Sequence, residues 1–560
     1  MPKRKKSGTR NVSKKRRIHT VESTEKDDHI ASVFIPNPGD SGESDQSNDD
    51  CSSTSDESDM QTDLEMHEDF ESHQPIQSYQ KVLENYNASQ KKLVEGHSYN
   101  WIDGETIHDD TLTNDILLSK KQKDKILTSS STELFEIFFS DELKKYIIDS
   151  TAERGYELTF DRFELFLGII IFTIFNKRLS QRDYWSTNVL LGADVVRSAM
   201  PRTEFDKIKS KIKFHKSSDE NTKDKAWRVR SIMNIFNKNI KNFGYFCTAL
   251  SIDEMMVKFY GRVCFKQFIR GKPIRFGIKM WALCGSNGYL FNFDLYCGKN
   301  ENIDFLPKIS QGSRVVLQML HDFLTKTSPR NRLQYHIYFD NLFTSPDLLV
   351  HLKNQGVRAT GTIRKDRIEV TNEIDTKARR GTFQVKHDTK TGVNFVTVMD
   401  SKPVSILSSA AGITPTSDVT RYDKEAKEKV TLSFPKVFGA YNSFMGGVDL
   451  HDQHCNHLMP IIRAKKWTWP VFIRLIQGSI TNATVLYNSI SDKKKGTKEV
   501  AMEICEKYLL NSKSKFKNHT LENTGSKKYC SIDKCIVRSS KSCIECEAHF
   551  CIKCFKETHE

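Results

Sequence analysis

The sequence lacks a hydrophobic segment long enough to cross a bilayer, and its charged N-terminus lacks the apolar stretch of a signal peptide. The longest apolar run is LFLGIIIFTIF at 165–175, which lies between Glu164 and Lys177. A run of this length predicts a buried helix and is too short for a membrane span. We therefore expect no membrane partner.

The sequence also lacks the evenly spread cysteines of a secreted disulfide framework. Six of its 13 cysteines fall within residues 530–554, which indicates a metal site in a reducing compartment. Soft ligands at these short spacings predict at least one tetrahedral Zn²⁺ ion. The candidate zinc ligands are Cys530, Cys535, Cys543, Cys546, Cys551, Cys554, His549 and His559.

Residues 1–95 contain few aromatic residues and many Ser, Asp, Glu and Lys, so they lack the apolar surface that stabilises a fold. We expect this tail to be disordered, basic first and then acidic. Residues 40–75 hold 13 acidic and no basic residues. Such a stretch is typical of a phosphorylation target, a DNA-mimicking tail or a solvated linker.

Two basic clusters in the tail, KRKK at 3–6 and KKRR at 14–17, resemble a bipartite nuclear localisation signal. They predict a nuclear protein, although such clusters also occur in nucleic-acid binders generally. The residues of the predicted signal are Lys3, Arg4, Lys5, Lys6, Lys14, Lys15, Arg16 and Arg17.

The formal net charge of +14 is unevenly distributed. Residues 76–560 carry 75 basic and 54 acidic side chains, a balance of +21. A polycationic body favours a polyanionic partner such as DNA, the alternative being a basic surface that serves solubility alone. A chain of 560 residues is too long for one core and predicts two to four domains.

Apolar residues recur at three- and four-residue spacing between about 130 and 245, which predicts helices. One of these helices, near 202–215, carries Phe205, Ile208 and Ile212 on one face and lysines on the others. A basic amphipathic helix of this kind can lie along DNA phosphates or simply face solvent.

From about residue 246 the apolar residues alternate instead, which predicts strands. The order is three strands, helix, strand, helix and strand, which is that of the ribonuclease H fold. Residues 367–436 show no clear period and are predicted to be irregular. The predicted elements are strands at 248–257, 275–284 and 289–297, a helix at 313–324, a strand at 335–340, a helix at 345–356 and a strand at 358–363.

Acidic residues are placed where this fold brings elements together. The first and fourth strands are neighbours in it, so Asp253 and Asp340 should lie side by side. Paired carboxylates repel one another, and Mg²⁺ or Mn²⁺ removes that conflict while activating an oxygen nucleophile for phosphodiester cleavage. A later helix, SFMGGVDLHDQH at 443–454, offers Asp449 and Asp452 on one face. Taken singly, each of these residues could instead be structural.

Six segments follow one another in the order SIDEMMVKFYGR, KPIRFGIKMW, YFDNLFTS, GTIRKDR, FMGGVDLHDQ and RAKKWTWP, and the Cys-rich terminus comes after them. Together these segments resemble the piggyBac transposase family over about residues 130–560. The resemblance implies a DDE/D integrase-type catalytic core with an α/β ribonuclease H-like fold. It also implies an inserted β-rich domain, an all-α dimerisation and DNA-binding domain, and a C-terminal Cys-rich zinc-binding module.

The resemblance further implies domain boundaries. The implied ranges are 130–247 and 459–520 for the helical domain, 248–366 and 437–458 for the catalytic domain, 367–436 for the insertion, and 528–560 for the zinc finger.

It also implies roles for individual residues. Asp253, Asp340 and Asp449 would be the catalytic residues that bind Mg²⁺, and Asp452 an accessory catalytic residue. Cys530, Cys535, Cys551 and Cys554 would hold one zinc ion, and Cys543, Cys546 and His559 another, with His549 as a possible fourth ligand. The DNA-binding residues would be Arg364, Lys365, Arg367, Lys465, Lys466 and Trp469.

Trp469 and its neighbour Trp467 have two interpretations: they could stack on distorted bases or lie in the core. The function implied is cut-and-paste DNA transposition at TTAA sites by a homodimer that binds transposon ends. The alternative is a domesticated nuclear protein that binds DNA or chromatin without transposing it. The intact acidic set favours the first.

Overall fold

The structure is a computed structural model that describes residues 93, 96–108, 112–270, 272–298, 309–423, 427–510, 521–532, 535–544 and 548–559. The predicted nuclear localisation signal and, apart from residue 93, the predicted disordered tail lie outside these ranges, as does Cys546.

Helices dominate the part of the described chain that precedes the first long strand. Several begin at a serine or threonine N-cap, and Ser119 and Ser130 each form a complete capping box. The elements are β1 (Trp101–Asp103), α1 (Lys120–Thr128), α2 (Ser131–Phe138), α3 (Asp141–Ala152), α4 (Phe160–Phe175), α5 (Asp194–Ala199), α6 (Arg202–Lys211) and α7 (Trp227–Asn239).

Helix α4 contains the long apolar run of the sequence. Most of its side chains are buried, which confirms the predicted buried helix. Within the described residues, no helix has both the length and the apolar character needed to cross a membrane.

The next segment has the predicted alternation of strands and helices, with one additional short strand, β3. Strand β2 pairs antiparallel with β4 and parallel with β6, and β6 pairs parallel with β7. The predicted adjacency of the first and fourth long strands is therefore observed. The elements are β2 (Ala249–Lys258), β3 (Lys266–Phe268), β4 (Phe276–Gly285), β5 (Leu290–Leu295), α8 (Gln311–Lys326), α9 (Pro329–Arg332), β6 (His336–Phe339), α10 (Pro346–Asn354) and β7 (Arg358–Thr362).

The prediction from periodicity that residues 367–436 are irregular is wrong, whereas the β-rich character that the family resemblance implied for this segment is observed. The segment contains β8 (Phe383–Asp388), β9 (Asn394–Met399), β10 (Pro403–Ser408), β11 (Ser417–Asp423) and β12 (Glu428–Phe434). Strand β10 pairs antiparallel with β7, so β8, β9 and β10 extend the central sheet. The sheet order is β1-β8-β9-β10-β7-β6-β2-β4-β3, with β5 paired to β4, and β11 and β12 form a separate hairpin.

Helices follow the sheet strands: α11 (Lys436–Phe444), α12 (Gly447–His457), α13 (Thr468–Asn488) and α14 (Thr497–Cys505). Helix α13 is buried along nearly its whole length and contacts α2, α7, α12 and β2. It therefore joins the helical part of the molecule to the sheet in one hydrophobic core.

The C-terminal module has a core of its own. It contains β13 (Leu521–Tyr529), β14 (Arg538–Cys543), β15 (Ala548–His549) and α15 (Ile552–His559), and the three strands form a separate sheet. Its small apolar cluster includes Phe550 and Phe555 beside buried cysteines.

Candidate active site

The first two candidate carboxylates, Asp253 and Asp340, lie on or directly after two adjacent strands. The parallel pairing of β2 and β6 places Ile252 opposite Phe339. Asp253 directly follows Ile252, and Asp340 directly follows Phe339. Because parallel strands advance together, these two residues lie at the same level at the centre of the sheet. Asp253 is only 9% exposed.

The turn after β6 fixes the position of Asp340. Its Oδ1 accepts a hydrogen bond from the Leu342 N–H at 2.8 Å, and its backbone oxygen accepts one from the Thr344 hydroxyl at 2.8 Å. Arg367 Nη1 donates to the Leu342 and Thr344 carbonyl oxygens at 2.8 and 3.0 Å. The strand therefore ends in a hydrogen-bonded turn that holds this carboxylate in place.

The third carboxylate, Asp449, lies in the first turn of α12 and is largely exposed. This helix packs closely on β2 and β4 because Gly447 has no side chain. A Cβ there would lie 2.3 Å from the Gly285 carbonyl oxygen and 2.7 Å from Ser251 Oγ. Gly447 thus allows the helix to approach the sheet and brings Asp449 towards the two strand carboxylates.

A lysine that sequence reasoning missed contacts this acidic cluster. Lys272 Nζ lies 3.1 Å from Asp449 Oδ1 and 3.6 Å from Asp253 Oδ2, and it also donates to the Glu254 carbonyl oxygen at 3.4 Å. Lys272 is the first residue of the KPIRFGIKMW segment, which matches the family motif. The sequence alone predicted no role for this lysine.

The electrostatics of the cluster oppose ionisation of its buried members. Burial raises the pKa of Asp253 well above its ordinary value, the Lys272 ammonium opposes that rise, and Glu254, Asp340 and Asp449 add to it. Burial, with Glu254 next in importance, raises the pKa of Asp340 to about 6. A cation bound here would relieve this repulsion.

Asp452 occupies a different environment from the other three. Its Oδ1 accepts from Nη1 of Arg474, a buried residue of α13, at 3.0 Å. Arg474 also donates to the Met256 carbonyl oxygen at 3.1 Å, which ties α13 to β2. The residue that the resemblance implied as an accessory catalytic group therefore forms an ion pair between helices, in which Arg474 is buried and Asp452 is half-buried.

The donor set has the chemistry of a magnesium or manganese site, since three carboxylates supply hard oxygen ligands. The acidic cluster is nevertheless open. Among the described residues, the group of three or more candidate ligand atoms that lie within 4.8 Å of one another consists of four cysteines of the C-terminal module. The oxygen atoms of the three aspartates lie farther apart than this. Asp253, Asp340 and Asp449 are the residues that would hold a divalent ion, with the Lys272 ammonium against two of them.

The predicted DNA-contacting residues fall in two places. Arg364, Lys365 and Arg367 follow β7 beside the turn of Asp340, where Arg364 Nε donates to Asn341 Oδ1 at 3.2 Å and Lys365 is exposed. Lys465 and Lys466 are exposed before α13. Arg367 stabilises the turn through its two hydrogen bonds, and the ammonium group of Lys365 faces solvent.

The prediction that Trp469 stacks on DNA bases is wrong for this structure. The side chain is only 4% exposed, and its Nε1 donates to the Ile462 carbonyl oxygen at 3.3 Å. It packs against Phe166 and Phe472 in the helical core. Trp467 is half-buried, with its ring 5.1 Å from that of Phe265.

The C-terminal module brings four predicted zinc ligands together. The Sγ atoms of Cys530, Cys535, Cys551 and Cys554 all lie within 4.8 Å of one another, with Cys535 and Cys551 3.8 Å apart. Zn–S bonds of about 2.3 Å in a tetrahedron require sulfur atoms about 3.8 Å apart, so the cluster fits zinc. This set is the one that the family resemblance implied for one ion.

The second predicted zinc set is not assembled among the described residues. Cys543 is buried but lies outside the cluster, and His549 has a buried Nδ1. Cys546 lies outside the described residues, and the structure describes only the backbone of His559.

The fold and the site have the arrangement expected of the DDE/D class of transposase cores. Two aspartates lie on adjacent strands of a central sheet with a ribonuclease H strand order, and a third lies on a later helix.

Comparison of this sequence with known proteins identifies the family to which the chain belongs. A transposase family described as Transposase IS4 matches residues 130–484. Human PiggyBac transposable element-derived protein 3 is 32% identical over 457 residues, which cover 76% of this chain and 76% of that protein. Human PiggyBac transposable element-derived protein 2 is 29% identical over 373 residues, covering 64% of this chain and 61% of that protein. The chain belongs to the piggyBac transposase family.

A solved structure shares the fold. It is a cryo-EM structure of a piggyBac transposase synaptic complex with hairpin DNA, and it matches with a TM-score of 0.56 at 20% identity. The match covers 71% of this chain and 82% of the other.

Proposed function

We propose that this protein is a DNA transposase of the DDE/D type that cuts at transposon ends and joins them to TTAA target sites, using Mg²⁺ or Mn²⁺. The observation that carries the proposal is the side-by-side placement of Asp253 and Asp340 on paired central strands, with Asp449 approaching from α12. Structural aspartates need no such convergence from three separate elements.

In this proposal the three aspartates hold the divalent ion. The ion would polarise the scissile phosphate and lower the pKa of the attacking hydroxyl. The exposed Lys365 would bind the DNA backbone beside the site, as would Lys465 and Lys466 at the start of α13. The four-cysteine cluster would bind Zn²⁺ and stabilise a module that contacts the transposon end.

The same proposal includes an assembly and a location. Two transposon ends must be processed together, so we expect a homodimer on double-stranded DNA. The basic clusters of the N-terminal tail would direct the protein to the nucleus.

The direct test is cleavage of a labelled duplex that carries the gene's flanking repeats and TTAA, with Mg²⁺. Wild-type protein is expected to nick at the repeat boundary, and Asp340→Ala and Asp340→Asn are expected to abolish nicking without loss of DNA binding. Asp366→Asn is a matched control, because Asp366 is an exposed carboxylate that lies between Lys365 and Arg367 in the sequence. Nicking that persists in both Asp340 variants contradicts the proposal.

A second candidate is a domesticated protein that binds DNA or chromatin without transposing it. Two relatives carry names that mark them as derived from transposable elements, which supports this alternative. It is favoured if wild-type protein binds the duplex tightly without a divalent ion and never cuts it.

A further inference from the structure

Lys272 is held against the acidic cluster by its local structure. It lies in the short segment between β3 and β4, and its side chain is 21% exposed. Its ammonium contacts Asp449 at 3.1 Å and Asp253 at 3.6 Å, and it donates to the Glu254 carbonyl oxygen. One cation thus bridges a strand and a helix that are far apart in sequence.

This arrangement differs from an ordinary surface ion pair. Both carboxylates that the ammonium contacts belong to the set that would hold a divalent ion, and the Asp253 side chain is only 12% exposed. A lysine ammonium and a divalent cation both require the same lone pairs, and at contact distance the two cations repel one another strongly. The two cannot share these oxygens in the geometry observed.

We propose that Lys272 is a positioning residue that competes with the divalent ion for Asp253 and Asp449, so that metal uptake requires the lysine to leave them. This inference rests on the proposed function, because it concerns the ion of that reaction. In the absence of the ion the ammonium offsets the repulsion within the cluster. When the ion binds, the flexible four-carbon chain of the lysine moves its charge away.

The displaced ammonium needs a new anionic partner, and a DNA phosphate beside the aspartates provides one. DNA binding and metal binding then strengthen each other, and the coupling is reciprocal. The lysine would therefore favour metal loading on bound DNA over metal loading on the free protein.

The test is Mn²⁺ binding to the full chain, measured by electron paramagnetic resonance, with and without flanking duplex DNA. The Asp340→Asn variant supplies the background from other sites. Lys272→Met is expected to bind Mn²⁺ about tenfold more tightly than wild type without DNA, because one competing positive charge is removed. Lys272→Arg is expected to keep the weak affinity. Duplex DNA should tighten Mn²⁺ binding in wild type and much less in Lys272→Met.

The matched control is Lys258→Met. Lys258 is exposed at the end of β2, and its ammonium lies 5.5 Å from the centre of the Tyr260 ring. Its replacement should leave the affinity for Mn²⁺ within about twofold of wild type. Circular dichroism checks that each variant folds, and Lys272→Gln replaces Lys272→Met if the latter does not.

The outcomes separate this inference from the proposed function. Equal Mn²⁺ affinity in wild type, Lys272→Met and Lys272→Gln overturns the role of Lys272 and leaves the transposase proposal intact. Binding no stronger than the Asp340→Asn background in every variant, together with no DNA cleavage, overturns both.

Discussion

At the scale of single residues, the pair of buried Arg474 and half-buried Asp452 joins elements that are distant in sequence. Arg474 is 2% exposed and donates to Asp452 and to the Met256 carbonyl oxygen, so it connects α12, α13 and β2. We expect Arg474→Met to lower the free energy of unfolding by about 1–3 kcal/mol, because the half-buried Asp452 carboxylate and the Met256 carbonyl oxygen lose their hydrogen-bond donor. The measurement is the urea midpoint of the core transition. The double variant Asp452→Asn, Arg474→Met should recover part of the loss, since no unpaired charge remains. A loss below about 1 kcal/mol in Arg474→Met would contradict a buried, paired geometry.

At the scale of elements, the contact between α12 and the sheet depends on one of two adjacent glycines. A Cβ on Gly447 would lie 2.3 Å from the Gly285 carbonyl oxygen, whereas a Cβ on Gly446 would have no neighbour within 4 Å. Gly447→Ala must therefore push the helix from the sheet, at a cost of about 1–3 kcal/mol, and carry Asp449 with it. Gly446→Ala is the matched control and should change little. We expect a lower melting temperature and weaker Mn²⁺ binding in Gly447→Ala alone. Equal behaviour of the two variants would show that α12 does not pack as described.

At the scale of the whole molecule, the C-terminal module is expected to depend on zinc while the rest of the chain does not. Its apolar cluster is small and separate from the main core, so metal ligation must supply much of its stability. A zinc chelator, or the change Cys551→Ser, should remove the ion and expose the module to proteolysis while the core keeps its melting temperature. Cys264→Ser, at an exposed cysteine outside the cluster, is the control. The measurement is zinc content by mass spectrometry with limited proteolysis. A zinc-free module that resists protease as the wild type does would contradict this prediction.

Features that depend on neighbouring residues could be predicted from the sequence alone. Alternation and helical spacing predicted the long strands and the crossover helices, including the helix at 345–356, whose observed counterpart α10 is capped by the Ser345 side chain. Cysteine spacing likewise predicted a zinc site within residues 530–554, and the family resemblance implied the set of Cys530, Cys535, Cys551 and Cys554 that the structure brings together. These signals are local, because backbone period, capping and ligand spacing act over a few residues.

Contacts between distant parts of the chain could not be predicted from the sequence and are seen only in the folded structure. The strands of 367–436 gave no clear period, and they join the central sheet because β10 pairs with β7. The sequence left Trp469 open between base stacking and the core, and packing buries it, while Arg474 from another helix pairs with Asp452. Lys272 meets Asp449 across 177 positions of sequence. Such contacts depend on which surfaces the whole fold packs together. The spacing of residues within one segment therefore does not predict them.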